Sequence, residues 1–266
     1  MDMKSLSSLL TQVRTKRPLV HHITNYVTVN DCANVTLCIG GAPVMAHSPE
    51  DASEMVAMAN ALVLNIGTPD HAQIESMLVA GSRANDLNIP IILDPVGAGA
   101  TRMRTDAACT LLHKLNISVV KGNAGEIAIL AGGKGTVRGV DSHGIKGDPI
   151  EIAKKLANKL DLVVAISGQT DIVTNGELTL LVDNGHPMMG KLSGTGCMAS
   201  SIAGAFAGVS KDHVKSTAAA LAAFGVAGEK AALHSNGPSS FKVALTDNVY
   251  RLTEDMLRKS INVRTV

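Results

Sequence analysis

The hydrophobic positions of the chain fall into short apolar runs that alternate with longer segments of helical spacing. The apolar runs, which we predict to be strands, are 18–24, 42–45, 61–66, 89–94, 117–121 and 162–167. The segments with helical spacing are 28–39, 49–59, 70–86, 105–115, 124–131 and 148–160. Most of the runs are apolar throughout, so we expect strands that are buried on both faces, as in a parallel sheet covered by helices.

The alternation ends after residue 167. The stretches DIVTNG and ELTLLVD predict a hairpin that turns at Asn175-Gly176. Three helices are predicted to complete the chain, at 194–209, 212–234 and 238–258. The most loop-like stretch is 132–144, and no boundary has the Pro- and Ser-rich composition of a linker. We therefore expect a single α/β domain over residues 1–266.

Composition narrows the possible partners. The chain is 45% hydrophobic and 18% charged, as expected of an ordinary globular protein. Its net charge is +1, and it contains 2 Tyr, 3 Phe and no Trp. It therefore lacks both the basic field that holds a phosphate backbone and the aromatic platforms that stack bases. We do not expect nucleic acid as a partner.

Cysteine usage and hydropathy favour a cytoplasmic protein with no membrane partner. Cys32, Cys38, Cys109 and Cys197 are scattered, which is typical of free thiols in a reducing compartment. We expect the first three to be small buried apolar groups. The amino terminus predicts an amphipathic helix rather than an export signal. The uncharged run 192–210 is rich in Gly, Ser and Ala, so we interpret it as a buried helix rather than a membrane span.

Polar residues follow most of the predicted strands. Ligands of open parallel sheets lie outside the carboxyl ends of the strands, so these residues are expected to converge on one edge. They are Asn25, Asn65, Asp94, Lys121 with Asn123 and Glu126, and Ser167 with Gly168.

Two acidic residues in this set have alternative interpretations. Asp94 ends an apolar run before a glycine-rich turn, and is either a turn residue or a ligand-facing carboxylate. Asn123 and Glu126 form an NxxE pair where a strand gives way to a helix, which is the spacing of a capping box. Together, Asp94 and Glu126 are also a candidate Mg²⁺ site, with phosphates completing the coordination. Neither motif alone decides between these interpretations.

The stretch GKLSGTGCMASS at 190–201 combines glycines, hydroxyl residues and a cysteine at the start of a predicted helix. Glycines let backbone N–H groups approach an anion, and the helix adds the positive end of its dipole. The chain contains no GxxxxGK[ST] loop, and GAGATR does not complete a GxGxxG motif. The stretch therefore predicts a phosphate or oxyanion site, and the alternative is a helix start packed closely against a neighbour.

Five motifs in order carry a family resemblance: HHITNYVTVNDCAN, GAPVMAHSPED, DPVGAGATR, VKGNAGEI and SGTGCMASS. They resemble the ribokinase-like superfamily and, more closely, the hydroxyethylthiazole kinase family. The resemblance implies a ribokinase-like α/β fold with a central, mostly parallel sheet and helices on both faces. It also implies ATP-dependent phosphorylation of the alcohol of 4-methyl-5-(2-hydroxyethyl)thiazole in thiamine salvage.

The resemblance further implies a set of site residues. The positions concerned are Met45, Gly194, Asn25 and Val27 for the thiazole alcohol, Lys121, Ser167 and Gly168 for ATP, Asp94 and Glu126 for Mg²⁺, and Cys197 for the catalytic base. At position 121 arginine is common in the family, and lysine keeps the charge but not the bidentate geometry. We expect the pKa of Cys197 to be lowered at a helix N-terminus. The family is trimeric, which implies a homotrimer with substrate sites between subunits.

Two other functions are compatible with these features. One is a kinase for another small heterocyclic alcohol, such as a pyrimidine or pyridoxal. The other is a non-catalytic nucleotide or metabolite sensor, which would leave the carboxylates and the thiol unexplained. ATP turnover without and with each alcohol would distinguish the three.

Overall fold

The computed structural model describes residues 2–133 and 147–266, and in them nine strands form one sheet. The strands are β1 (Leu19–Ile23), β2 (Ala42–Met45), β3 (Ala61–Asn65), β4 (Ile91–Asp94), β5 (Val119–Asn123), β6 (Val163–Ser167), β7 (Asp171–Thr174), β8 (Thr179–Val182) and β9 (Val263–Thr265). Their order across the sheet is β2-β1-β3-β4-β5-β6-β7-β8-β9. Strands β1 to β6 are parallel, and β7, β8 and β9 pair antiparallel. The predicted mostly parallel sheet is confirmed.

Helices cover both faces of this sheet. They are α1 (Met3–Lys16), α2 (Val29–Ile39), α3 (Pro49–Val56), α4 (His71–Asp86), α5 (Arg102–Lys114), α6 (Ala124–Leu130), α7 (Pro149–Leu160), α8 (Thr195–Ala207), α9 (His213–Ala232), α10 (Pro238–Arg251) and α11 (Glu254–Ser260). Helices α3 to α7 pack on one face, and α1, α2 and α8 to α11 pack on the other. The two faces therefore have separate hydrophobic cores.

Strand β3 shows why the strands are apolar throughout. Val63 belongs to the core under α8, whereas Leu62 and Leu64 belong to the core on the opposite face. Successive side chains of a strand point to opposite faces, and here both faces are covered. All three side chains are at most 1% exposed. The absence of polar alternation in the sequence follows from this burial.

Helix α8 is composed mainly of small residues because it lies close to the sheet. A Cβ on Gly204 would lie 2.5 Å from Val63 Cγ2 and 3.1 Å from Val20 Cγ1. Because Gly204 has no side chain, α8 packs closely against strands β1 and β3. The interpretation of 192–210 as a buried helix is confirmed for Thr195–Ala207, in which Met198 to Ala207 are all buried. No helix among the described residues is long and apolar enough to span a membrane.

The predicted hairpin is confirmed, and it has the expected turn chemistry. Strands β7 and β8 pair antiparallel on either side of Asn175 and Gly176. Gly176 has φ +96°, which favours glycine, and Asn175 Oδ1 accepts a hydrogen bond from Leu178 N at 2.8 Å.

The carboxyl-terminal region differs from the prediction. The single helix expected at 238–258 is two helices, α10 and α11, because Thr253 caps a new helix by accepting from Met256 N at 3.2 Å. Strand β9 was not predicted, since three residues are too short for a recognisable pattern and their pairing with β8 is a long-range contact. A short 3-10 helix at Pro187–Lys191 was also missed.

The start of helix α5 and the burial of two cysteines differ from prediction. Helix α5 begins at Arg102 rather than at 105, because Thr101 Oγ1 accepts from Arg104 N at 3.3 Å. Cys32 is buried as expected, but Cys38 is half-buried and Cys109 is exposed, since Cys109 lies on the outer side of α5. Most of the loop-like stretch 132–144 lies outside the described residues.

Candidate active site

The polar residues that end the parallel strands lie together at one edge of the sheet, as predicted. Asn65 and Asp94 end β3 and β4 and are register partners, and Asn123 and Ser167 are partners at the ends of β5 and β6. Asn25 follows β1 and donates from Nδ2 to Asn65 Oδ1 at 2.8 Å. These contacts define a candidate site that extends across β1, β3, β4, β5 and β6.

The glycines of the SGTG stretch are explained by close contacts at this edge. Gly194, the N-cap of α8, has φ +92°, and a Cβ there would lie 2.4 Å from Thr28 Cγ2. A Cβ on Gly196 would lie 3.2 Å from Lys121 Nζ. The backbone N–H groups in the first turn of a helix lack intrahelical partners, and the helix dipole is positive at that end. The start of α8 therefore offers N–H donors to an anion.

The thiol of Cys197 lies between two asparagine amides. Asn65 Nδ2 is 3.2 Å from Sγ, and Asn25 Nδ2 is 3.5 Å from it. Burial raises the pKa of Cys197, and the charge of Asp94 raises it further, whereas the Lys121 charge and hydrogen bonds from neighbouring side chains lower it. The expected lowering of this pKa is wrong, because removal of the thiolate from water, together with the Asp94 charge, outweighs the Lys121 charge and the side-chain hydrogen bonds.

Asp94 is buried, and its orientation is determined by two donors. Its Oδ2 accepts from Asn65 Nδ2 at 3.0 Å and from Ser200 Oγ at 2.7 Å. Ser200 lies one turn beyond Gly196 on α8, so the helix brings this hydroxyl to the strand end. Among the described hydrogen bonds, those to the Asp94 carboxylate come from β3 and α8 and none comes from the following turn. These two bonds orient the carboxylate at the end of β4, and its role toward a ligand stays a prediction.

Glu126 forms the predicted capping box and also contacts the turn after Asp94. Its Oε2 accepts from Asn123 N at 2.8 Å, and Asn123 Oδ1 accepts from Glu126 N at 2.9 Å. Its Oε1 accepts from Gly97 N at 2.7 Å. Burial raises the pKa of Glu126 to about 7, and the charge of Asp94 contributes, although the two backbone donors and Lys121 act in the opposite direction. The capping interpretation is confirmed, and the role in binding Mg²⁺ stays a prediction.

Lys121 places a buried positive charge in the site. The residue is 2% exposed, and its Nζ donates to Gly196 O at 2.9 Å. Its charge lowers the pKa values of Cys197, Glu126 and Asp171. The ammonium is thus held against the first turn of α8.

The predicted ATP-binding residues Ser167 and Gly168 lie on the β6 side of Lys121. Ser167 Oγ donates to Gly122 O at 3.3 Å, and Gly168 N donates to Asp171 Oδ1 at 2.9 Å. Burial raises the pKa of Asp171 to about 6. These bonds form a short turn between β6 and β7 at the same edge of the sheet.

Two predicted substrate residues lie at the other end of the site. Met45 is the last residue of the edge strand β2, where it pairs with His22 and is half-buried. Val27 is in the turn after β1, and its side chain is 66% exposed. Val27 is two residues from Asn25, and Met45 lies on the edge strand that pairs with β1.

Comparison with known proteins shows the family of the chain. A family model described as the hydroxyethylthiazole kinase family matches residues 10–255. The chain belongs to the hydroxyethylthiazole kinase family. It is 73% identical to the hydroxyethylthiazole kinase of Methanocella arvoryzae over 264 residues, which cover 99% of each chain. As a member of the hydroxyethylthiazole kinase family, the chain is a kinase.

Solved structures confirm the fold. The hydroxyethylthiazole kinase protein of Pyrococcus horikoshii OT3 has a TM-score of 0.91 and 41% identity, with 99% of each chain covered. A ribokinase-like superfamily protein of Enterococcus faecalis has a TM-score of 0.62 over 96% of each chain, and its 13% identity supports the fold alone. The chain therefore has the ribokinase-like fold.

Sequence reasoning missed two residues of the site in this hydroxyethylthiazole kinase family member. Ser200 could have been found, because it is a hydroxyl residue four positions after Gly196 on a helix of small residues. Thr28 carried no signal, since it contacts Gly194 only through the fold, and its N and Oγ1 both donate to Asn25 Oδ1 at 3.0 and 3.1 Å. Asn65 was expected at the edge of the sheet but was given no role.

Proposed function

We propose that the chain transfers the γ-phosphoryl group of ATP to the hydroxyl of 4-methyl-5-(2-hydroxyethyl)thiazole, which gives the phosphate used in thiamine salvage. The observation that carries this proposal is the arrangement around Cys197 in a chain of the hydroxyethylthiazole kinase family. The thiol lies in the first turn of α8, between the amides of Asn25 and Asn65 and near the buried Asp94.

Cys197 is the proposed base that receives the proton of the acceptor hydroxyl. The amide of Asn65 and the charge of Lys121 favour the thiolate, whereas burial and Asp94 favour the thiol. A loose phosphoryl-transfer transition state requires little proton removal at an early stage. We therefore assign Cys197 a contribution at the lower end of general-base catalysis, about 10² in rate.

The phosphoryl group is proposed to bind at the first turn of α8. Backbone N–H groups from Gly194 to Cys197 would donate to its oxygens, and preorganised donors of this kind stabilise developing charge. Lys121 supplies a positive charge beside that turn, at 2.9 Å from Gly196 O. Lys121, Ser167 and Gly168 form the proposed ATP-binding region, in which lysine acts on phosphate as a point charge.

The acidic residues fit a magnesium ion. Asp94 and Glu126 are two buried carboxylates, and the charge of Asp94 raises the pKa of Glu126, so a divalent cation would relieve their repulsion. Magnesium in phosphoryl-transfer sites is held by one or two carboxylates with substrate phosphates and water. The described part of the chain accordingly has no cluster of three or more acidic, His or Cys ligands. When bound, the ion neutralises charge on the transferred phosphates.

The thiazole alcohol is proposed to bind beside Met45, Gly194, Asn25 and Val27, at a site completed by a neighbouring subunit of a homotrimer. Val27 is largely exposed and Met45 is half-buried on an edge strand, so both offer apolar surface to a ring or to another subunit. Light scattering on the purified protein is expected to give the mass of three chains. A cytoplasmic location is also proposed, and the free state of all four cysteines supports it.

The decisive experiment is turnover of purified protein with Mg-ATP and each candidate alcohol. With the thiazole alcohol, mass spectrometry is expected to show thiazole phosphate and stoichiometric ADP. Phosphorylation of pyridoxal or a pyrimidine alcohol without thiazole phosphate would indicate a kinase of different specificity. ATP binding without turnover of any alcohol would indicate a sensor and contradict the proposal.

A further inference from the structure

Asn65 is buried at the end of β3, and its neighbours determine how its amide is oriented. Its Oδ1 accepts from the backbone N of Gly67 at 2.9 Å and from Asn25 Nδ2 at 2.8 Å. A backbone N–H can only donate, so the amide oxygen must face Gly67. The NH₂ group consequently faces the opposite side, toward the candidate active site.

That NH₂ group contacts two proposed functional groups at once. It donates to Asp94 Oδ2 at 3.0 Å and to Cys197 Sγ at 3.2 Å. An asparagine amide offers two donors and two acceptor lone pairs, and all four are used here. One planar group therefore links the end of β4 to the start of α8.

The surroundings restrict movement of this amide. A Cβ on Gly67 would lie 2.9 Å from the Asn25 side chain, so the backbone packs directly against the asparagine that Asn65 contacts. Asp94 is also held from the other side, where Ser200 Oγ donates to the same carboxylate oxygen at 2.7 Å. The Asn65 side chain is 1% exposed, so water does not compete for its bonds.

We propose that Asn65 is a positioning residue that holds the Cys197 sulfur and the Asp94 carboxylate in one fixed arrangement for phosphoryl transfer. A neutral donor suits this point, because the groups on either side of it both carry or gain negative charge. Outer hydrogen-bond partners of this kind orient the groups that act directly. The inference rests on the proposed function, since it assumes that Cys197 and Asp94 act in the reaction.

The kinetic test compares Asn65→Asp and Asn65→Leu with the parent. Aspartate keeps the shape but replaces the NH₂ donor by a negative oxygen, and leucine keeps much of the volume without any donor. Loss of such an orienting bond typically costs about 10- to 100-fold in activity, so kcat is expected to fall by that factor. The KM for the thiazole alcohol is expected to change little in Asn65→Asp, because aspartate keeps the oxygen that accepts from Asn25 Nδ2. Asn65→Leu removes this acceptor, so its KM is expected to rise as well. A merely structural role would not separate kcat from KM in this way.

Asn184→Asp is the matched control. Asn184 is also a buried asparagine, and its amide makes three hydrogen bonds: it donates to Glu229 Oε1 and Ser260 O at 3.0 and 2.9 Å and accepts from Asn262 N at 2.7 Å. It contacts none of the proposed site residues, so this variant is expected to lose stability and keep its kcat. The proposal is overturned if both Asn65 variants keep kcat within about twofold of the parent, or if the control loses as much kcat as they do.

A second test needs no substrate. Urea unfolding of Asn65→Ala, Cys197→Ala and the double variant gives a coupling between the two side chains. The double variant is expected to lose less stability than the two single losses added, whereas Asn65→Ala with Asn184→Ala is expected to be additive. Additive losses for Asn65 and Cys197 would overturn the proposal. If the parent forms no thiazole phosphate, the proposed function fails, and this coupling still decides whether Asn65 holds Cys197.

Discussion

His22 is expected to make the stability of the fold depend on pH between about 6.5 and 4. The side chain is 0% exposed in β1, and its Nδ1 faces Val20 O at 3.0 Å. Burial, with a smaller contribution from the neighbouring charge of His21, lowers the pKa of His22 from 6.5 to about 4, although hydrogen bonds to backbone carbonyls act in the opposite direction. The folded protein therefore keeps this imidazole neutral at pH values where the unfolded chain protonates it.

The sign and size of the effect follow from the two pKa values. The unfolded state binds the extra proton, so the stability contributed by His22 is fully present above the unfolded pKa and is lost as the pH falls toward the folded pKa. Each unit of pKa difference corresponds to about 1.4 kcal/mol. Between about pH 7.5 and about pH 5.0, protonation of the unfolded chain at His22 should remove about 2 kcal/mol of unfolding free energy.

The assay is urea unfolding of the parent and of His22→Leu at these two pH values. The variant loses the titrating group, so its unfolding free energy is expected to fall by about 2 kcal/mol less than that of the parent over the same interval. The raised pKa of Glu126 acts in the opposite sense, because its contribution to stability falls as pH rises, but it is present in both proteins and cancels in the comparison. Equal losses in the two proteins would refute the reasoning.

The remaining predictions concern the proposed active site. Cys197→Ser is expected to lower turnover about 10²-fold, whereas Cys197→Asp is expected to keep or raise turnover, because the amides of Asn25 and Asn65 then face an ionised base. A serine variant as fast as the parent would contradict the role of Cys197 as a base. Glu126→Gln and Asp94→Asn are expected to lower activity steeply with little change in the unfolding midpoint, and unaltered Mg²⁺ dependence of turnover in both would contradict their metal role. Gly194→Ala adds a Cβ at φ +92°, 2.4 Å from the methyl group of Thr28, so the unfolding free energy is expected to fall by about 1–2 kcal/mol or more. Calorimetry measures this loss, and an unchanged melting temperature would contradict the predicted strain.

Much of the fold was predictable because the responsible interactions are local or periodic. The central strands are apolar on both faces, and this pattern predicts a sheet covered by helices whatever their order. The hairpin was predictable from the Asn-Gly pair, because Gly176 adopts the positive φ of the turn and the side chain of Asn175 accepts a hydrogen bond from Leu178 N. Strand β9 and the break before α11 escaped prediction, because a three-residue strand acquires its identity only from its partner β8.

The site was predictable to the level of its location. In a parallel sheet the carboxyl ends of the strands lie at one edge, so Asn25, Asn65, Asp94 and Ser167 had to converge once the strands were recognised. The candidate Mg²⁺ pair and the anion site came from residue chemistry, the other roles came from motif resemblance, and all of them remain proposals.

The sequence by itself determined most of the elements, the edge at which the polar residues meet and the family, since each of these is encoded in short patterns along the chain. Only the tertiary structure decided how the groups at that edge affect one another. Hydrogen bonds join the Asn65 amide to Asp94 and Cys197, which are far apart in sequence. The pKa of Cys197 is raised rather than lowered, because burial, a property of the packed molecule, is the largest contribution to it. Desolvation and contacts between distant segments depend on how all of the elements pack, and no local pattern specifies them.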